Sequence, residues 1–197
     1  MTARLPTGYR QAIPADASAM AELVNMAGEG LPLYLWTNMA GEGQWPWDVG
    51  VERAQRQSGG FSYRNTIIRE DSGKVVASLV GYPLDDDPAP TDYSDMPGIF
   101  VPLQQLEDRV PGTWYVNVLA TYPESRGKGI GSQLLEIAEG IAVALSKRGL
   151  SIIVADTNAG ARRLYERHGY SEVAHREMVK DGWDHPGTHW VLLAKYF

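Results

Sequence analysis

The stretch that most constrains this chain is "TWYVNVLATYPESRGKGIGSQLLEIAEGIAVAL", residues 113–145. It opens as a strand-like run, passes through three glycines within five positions and then turns apolar at helical spacing. Ile130, Leu134, Leu135, Ile137, Ala138, Ile141, Ala142 and Leu145 recur as one buried helix face would require. A buried strand joined to a buried helix by such a turn calls for an α/β arrangement, with helices packed on a central sheet. The turn also has a chemical use. Glycines let the backbone approach an anion closely, and the first N–H groups of a helix, which lack intrahelical partners, point at it. Arg126 and Lys128 place charge at its rim.

Two familiar phosphate motifs do not fit. A P-loop needs G-x-x-x-x-G-K-[ST], but Gly127-Lys128 is followed by Gly129 and the first glycine is missing. A dinucleotide fingerprint needs G-x-G-x-x-G, and the third glycine position holds Ser132 or Leu134, depending on the start. The spacing that does fit is R-x-x-G-x-G, as Arg126, Gly129 and Gly131.

The remaining elements follow from pattern. "YRQAIPADASAMAELVNMAGEG" reads as a short strand and a helix that starts near Pro14 and stops at the glycines, with Ala17, Met20, Ala21 and Val24 on its apolar stripe. "LPLYLWTNMAGEGQWPW" reads as irregular and aromatic, and "VGVERAQRQS" as a helix. The hexapeptide NMAGEG occurs at 25–30 and again at 38–43, read as two Gly-rich turns because two copies do not make a solenoid. "YRNTIIRE" and "KVVASLVGYPL" form a hairpin about "DSG". An acidic, Pro-rich insertion follows from Asp85, with a short helix at "PLQQLEDRV". "KRGL" closes the long helix with cations and a glycine; "SIIVAD" is a strand, "NAGARRLYERHG" a helix with a glycine cap, and "YSEVAHREM" and "THWVLLAKY" an antiparallel pair. The order is β-α-α-β-β-β-α-β-α-β-β, a mixed α/β chain read as one domain over residues 1–197.

Charge and composition exclude some functions. Eighteen basic residues against 24 acidic ones, without a dense Lys/Arg run, argue against a nucleic-acid partner. No apolar run is long enough to span a bilayer, so no membrane partner is expected. The N-terminal segment "MTARLPTGYRQAIPADA" lacks the apolar stretch of a leader, and with no cysteine there is no disulfide or thiolate chemistry, so a cytoplasmic location is expected. His185 and His189 have a helical ligand spacing, but Pro186 and Gly187 stand between them, and no metal site is expected.

"VLATYPESRGKGIGSQLL" resembles the acyl-CoA-binding motif of the GNAT superfamily of N-acetyltransferases, and "VADTNAGARRLYERHGY" resembles that family's second motif. The resemblance implies a central, mostly antiparallel, splayed sheet of about six to seven strands flanked by helices. It also implies acetyl-CoA as co-substrate, with no metal. By the same resemblance Leu119, Ala120 and Thr121 would lie along the pantetheine arm, with main-chain groups of Leu119 and Thr121 bound to it. The N–H groups of Arg126, Gly127, Lys128, Gly129, Ile130 and Gly131 would cradle the pyrophosphate. Asn158 would reach the pantetheine, although an Asn there equally suits an N-cap. Tyr165, two helical turns further on, would be the catalytic residue, giving a hydrogen bond or a proton to the departing thiolate. N–H groups near Val118 and Leu119 would stabilise the oxyanion of the tetrahedral intermediate.

The resemblance stops at the general base. Many family members carry a glutamate on a central strand, whereas "WYVNVLAT" carries Asn117, and "SIIVAD" has only Asp156 at its end. Glu29, Glu42, or a water chain through Tyr115 and Asn117 are the candidates. For the acceptor, Tyr34, Trp36, Trp45 and Trp47 fall close to Glu29 and Glu42, which suits an amine with an apolar or cationic body; a core plug is the equal alternative. The expected reaction is acetyl transfer to a primary amine, of a small molecule or a peptide, by direct attack. A catalytically silent acyl-CoA binder or sensor is the rival reading. The family's frequent homodimers are a further implication, with no residue of this chain behind it.

Overall fold

The computed structural model describes residues 5–197; residues 1–4, part of the segment read as lacking a leader, lie outside the described residues. The chain divides into two compact units, one formed by residues up to 82 with 117–137, the other by residues 83–116 with 138–197.

The first unit begins with β1 (Tyr9–Gln11), then α1 (Ala17–Ala27), α2 (Leu31–Met39) and α3 (Pro46–Ala54). A 3-10 turn at Pro14–Asp16 leads into α1, and the Asp16 carboxylate accepts from Ile13 N at 2.8 Å while taking the Arg10 guanidinium in a fork at 2.8 and 2.9 Å. α1 buries Ala17, Met20, Ala21, Leu23 and Val24. The irregular segment expected after it is instead a helix. Pro32 occupies its first turn, the Asn25 side chain accepts from Leu33 N at 2.9 Å, and Leu31 and Trp36 are buried. α3 starts three residues ahead of the expected VGVERAQRQS helix, with Pro46 in its first turn, and ends at Ala54. Both NMAGEG copies finish a helix: the first passes through Glu29 at φ 53 into α2, the second through Gly43 at φ 75 toward α3.

β2 (Thr66–Asp71) and β3 (Lys74–Pro83) form the expected hairpin, with Asp71 opposite Lys74 and both Ser72 and Gly73 at positive φ, as a two-residue hairpin turn demands. The second half of β4 (Trp114–Thr121) and the first half of α5 (Ile130–Ala144) complete this unit. Leu134 and Leu135 are fully buried, each contributing roughly 1.5–3 kcal/mol relative to exposure.

The second unit holds α4 (Val101–Glu107), the first half of β4, the end of α5, β5 (Gly149–Ala155), α6 (Ala159–Arg167), β6 (Ser171–Glu177) and β7 (His189–Tyr196). One reading is corrected here. Gly149 does not cap α5, which ends at Ala144 with Ser146 in the left-handed region at φ 55. Gly149 opens β5, where a Cβ would stand 2.2 Å from the Lys195 carbonyl oxygen. The glycine is needed for a close backbone approach rather than a helix end. Among the described residues the seven strands are ordered β1-β2-β3-β4-β5-β7-β6, and β4 with β5 is a parallel pair while β1–β2, β2–β3, β5–β7 and β6–β7 are antiparallel.

Candidate active site

The β4–β5 ladder covers Trp114–Val116 and Leu150–Ile152 only, although β4 runs on to Thr121. Leu119, Ala120 and Thr121, the residues expected along a pantetheine arm, lie on that extension, Ala120 buried and its two neighbours half-buried. Asn117 is exposed, whereas Tyr115, two residues before it, is buried.

Where β4 ends, the chain is pinned before it loops. The Tyr122 hydroxyl donates to Glu22 on α1 at 2.6 Å, and burial, with Glu22 beside it, pushes that phenol far above its ordinary value. A 3-10 turn at Pro123–Ser125 follows, and Arg126 folds back: its Nε donates to the Thr121 carbonyl at 3.1 Å and its outer nitrogen lies 3.2 Å from the Met26 sulfur. Arg126 and Lys128 are both exposed beside the loop, with one edge of the Arg126 guanidinium held against the chain. Gly127 and Gly129 stand at φ 75 and 78, and a Cβ built on either would meet nothing within 4 Å. Any L-residue with a side chain is disfavoured in that backbone region, so glycine keeps both the turn and the space above it open. The Gly129 carbonyl accepts the first α5 hydrogen bond, from Gln133 N at 3.1 Å, which makes Gly129 the cap residue with no side chain to cover the helix end. One turn into α5, Gln133 is held by the Tyr9 hydroxyl at 2.6 Å. The result is a cradle fixed on both sides and empty of side chains at its centre. Its N–H groups and helix dipole suit an anion such as a pyrophosphate.

In the second unit, Asn158 is the N-cap of α6, its Oδ1 accepting from Ala161 N at 3.1 Å. The capping reading holds, and it is compatible with a further contact of the same side-chain amide. Tyr165 has its ring buried beside Tyr170, centroids 5.9 Å apart. Burial pushes both phenols far above their ordinary value. Asp156, at the end of β5, accepts from Thr188 N at 3.1 and 3.2 Å, from Thr188 Oγ1 at 2.7 Å and from His189 N at 3.1 Å. Burial raises its carboxyl, but those bonds prevail and hold it below the usual carboxylate range.

The expected acceptor residues separate. Trp36 is 3% exposed, edge-on to Trp47 at 5.8 Å and stacked on Phe61 at 6.3 Å, so it serves the core rather than a ligand surface. Trp45 is 64% exposed, Glu42 is exposed and Glu29 half-buried. Among the described residues no group of three or more His, Asp or Glu is gathered as metal ligands, and no helix is long and apolar enough to cross a membrane.

A model of the Acetyltransferase (GNAT) family matches residues 32–170, more than half of the chain and inclusive of the loop, Asn158 and Tyr165. The chain belongs to the GNAT acetyltransferase family. Its fold matches solved structures over nearly the whole length: an acetyltransferase at 24% identity, covering 95% of this chain and 98% of that one with a TM-score of 0.65. An N-acetyltransferase from Staphylococcus aureus Mu50 matches at 18% identity, 94% and 98% coverage and a TM-score of 0.62. A GNAT family acetyltransferase from Elizabethkingia anophelis with acetyl-CoA bound matches at 18% identity, 67% and 75% coverage and a TM-score of 0.50. A sequence search of curated proteins gives no match.

Within this GNAT chain, sequence reasoning missed the anchors of the loop. Tyr9 and Gln133 are 124 positions apart, and Tyr122 and Glu22 are 100 apart, so no local spacing announces either pair. The Asp156–Thr188 junction is 32 apart, and its only sequence trace is an aspartate closing a buried strand.

Proposed function

We propose that this GNAT chain is an N-acetyltransferase that moves the acetyl group of acetyl-CoA to a primary amine, of a small molecule or a peptide, by direct attack on the thioester. The observation that carries the reading is the open cradle at Gly127–Gly131, with two left-handed glycines over a helix N-terminus. It fits a pyrophosphate, and the unladdered end of β4 offers extended main chain to a pantetheine. The acetyl-CoA found in the Elizabethkingia anophelis neighbour supports the same co-substrate. Acetyl-CoA supplies an activated carbonyl and a thiolate leaving group; this chain supplies the binding groups and the hydrogen bonds.

Tyr165 takes its role from its burial. A free thiol has a pKa near 8.5, and a phenol raised above its usual value of about 10 is the weaker acid of the two. Outright proton transfer to a thiolate runs uphill, so Tyr165 acts as a hydrogen-bond donor to the sulfur as charge develops on it.

The test is a thermal-shift titration with acetyl-CoA, CoA, ATP and NAD in parallel, followed by a screen of amines for thiol release. Ligand at about 100 times its dissociation constant stabilises the native state by roughly 2.7 kcal/mol. A saturable rise with acetyl-CoA and CoA alone, and thiol release with an amine, is the expected result. No rise with either CoA species at millimolar concentration overturns the co-substrate, and a rise without thiol release from any amine overturns the transferase.

A further inference from the structure

We propose that His189 is the general base that takes the proton from the acceptor ammonium, oriented by Thr188 and Asp156. The inference rests on the amine-acetylation reading above and supplies the group that a central-strand glutamate provides in many relatives.

An alkyl ammonium, with an unperturbed pKa of roughly 10, cannot attack a thioester until it loses a proton. The strand that would carry the acid has Asn117 instead. At the far end of the neighbouring strand the second unit builds a directed chain of hydrogen bonds. The Thr188 hydroxyl donates its one proton to Asp156 Oδ2 at 2.7 Å. The same oxygen lies 2.9 Å from His189 Nδ1, and having given its proton away it can only accept there. His189 therefore carries its hydrogen on Nδ1, which leaves the Nε2 lone pair as the basic atom.

The backbone fixes the arrangement as firmly as the side chains do. Asp156 N donates to the His189 carbonyl at 3.0 Å, while Asp156 accepts from His189 N at 3.1 Å, so the end of β5 and the start of β7 are stitched in both directions. The His189 side chain is 38% exposed, which lets Nε2 meet a ligand. Trp190, next along β7, is buried and stacks on Trp183 at 5.9 Å and 6°, so the strand's alternation returns His189 to the accessible face. The groups that face the imidazole are Asp156 at 3.7 Å from Nδ1, Glu177 directly across the β6–β7 ladder, and the His175 ring, edge-on at 5.4 Å and itself 3.3 Å from Glu172.

The step balances. The acceptor nitrogen sheds two protons as its N–C bond forms and the C–S bond breaks. One passes to His189 Nε2 and on to solvent, and the other ends on the thiolate, so the products are the amide, CoA thiol and one released proton. Thr188 and Asp156 are positioning residues: they set the tautomer and never touch the acceptor.

The experiment has two arms. In the first, nitrogen-15 spectra of the histidine rings of the full chain are recorded above pH 8, with the His189 signals identified by their loss in His189→Gln. The Nδ1–H tautomer is expected for His189, with a shift toward Nε2–H in Thr188→Val; an Nε2–H tautomer in the wild type overturns the proposal. In the second, kcat/KM against pH is measured with an amine taken from the thiol-release screen. His189→Gln is expected to lose at least about 10²-fold and the acidic limb of the profile, with acetyl-CoA affinity intact. Thr188→Val is expected to lose less and to displace that limb. An unchanged profile in His189→Gln overturns the role of His189 alone. Acetyl-CoA binding without thiol release from any amine in the wild type overturns the transferase reading, and this role with it.

Discussion

The molecule has two strand-to-helix junctions that look alike in outline and are finished in opposite ways. After β4, Gly129 caps α5 with no side chain, and the glycines at φ 75 and 78 leave the space above the helix end clear. After β5, Asn158 caps α6 itself through Ala161 N at 3.1 Å, and the preceding Asp156 is filled by Thr188 and His189. The first junction places no side chain over its helix end. The second spends its groups within the chain, on holding side chains in fixed orientations. One is left open and the other is closed by the chain itself, and the difference comes from which residue stands at the cap.

That contrast can be broken most severely at the open junction. Gly129→Ala is expected to weaken acetyl-CoA binding by about 10²-fold, read by titration calorimetry, because the added methyl enters the cradle and the positive φ is strained. The stability cost, read by denaturant unfolding, is expected to be only about 1–2 kcal/mol, since no protein atom lies within 4 Å of the new Cβ. An affinity equal to wild type rules the open junction out as the anion site. Tyr165→Phe, on the helix that the closed junction starts, is expected to lower kcat by about 10²-fold at unchanged acetyl-CoA affinity. Equal losses in binding and turnover make the ring a packing residue instead.

A third measurement sharpens the contrast through pH. The folded chain holds the Tyr165 and Tyr170 phenols above their ordinary value of 10.0, so it keeps protons that the unfolded chain releases. Their stabilising effect is whole below pH 10 and is lost as pH rises beyond it, by up to about 1.4 kcal/mol per pH unit for each group. Urea unfolding between pH 9 and 11 checks this, and the slope is expected to flatten in Tyr170→Phe. The smallest effect belongs to the closed cap. Asn158→Ala is expected to cost about 1 kcal/mol of stability. If acetyl-CoA affinity falls as well, Asn158 both caps and binds.

The open junction was legible in the sequence because its information is local. Three glycines, a strand before and an apolar helix after all fall within one short stretch, and periodicity reports them directly. The hairpin at Ser72-Gly73 and the Asn158 cap were legible for the same reason. The closed junction was not, because Asp156 meets Thr188 and His189 through strand pairing over more than thirty positions. Gly149 misled for a related cause. Following Lys147 and Arg148 it has the appearance of a helix stop, while the contact that requires it comes from Lys195 on a strand not yet reached. α2 was hidden by its composition, with Pro32, Tyr34 and Trp36 between two glycine clusters, although it buries Leu31 and Trp36.

The ends of the sheet carry a consequence for handling the protein in bulk. An outermost strand shows unpaired backbone to other molecules and invites stacking into aggregates when it is long, flat and apolar. Here β1 is three residues long. At the opposite margin β6 is kinked by a bulge between Glu172 and Ala174 and carries Glu172, His175, Arg176 and Glu177. Neither margin offers a straight template for a second chain. Deleting Val173, exposed in that bulge, removes the kink from β6, and turbidity on concentration is where the change becomes visible.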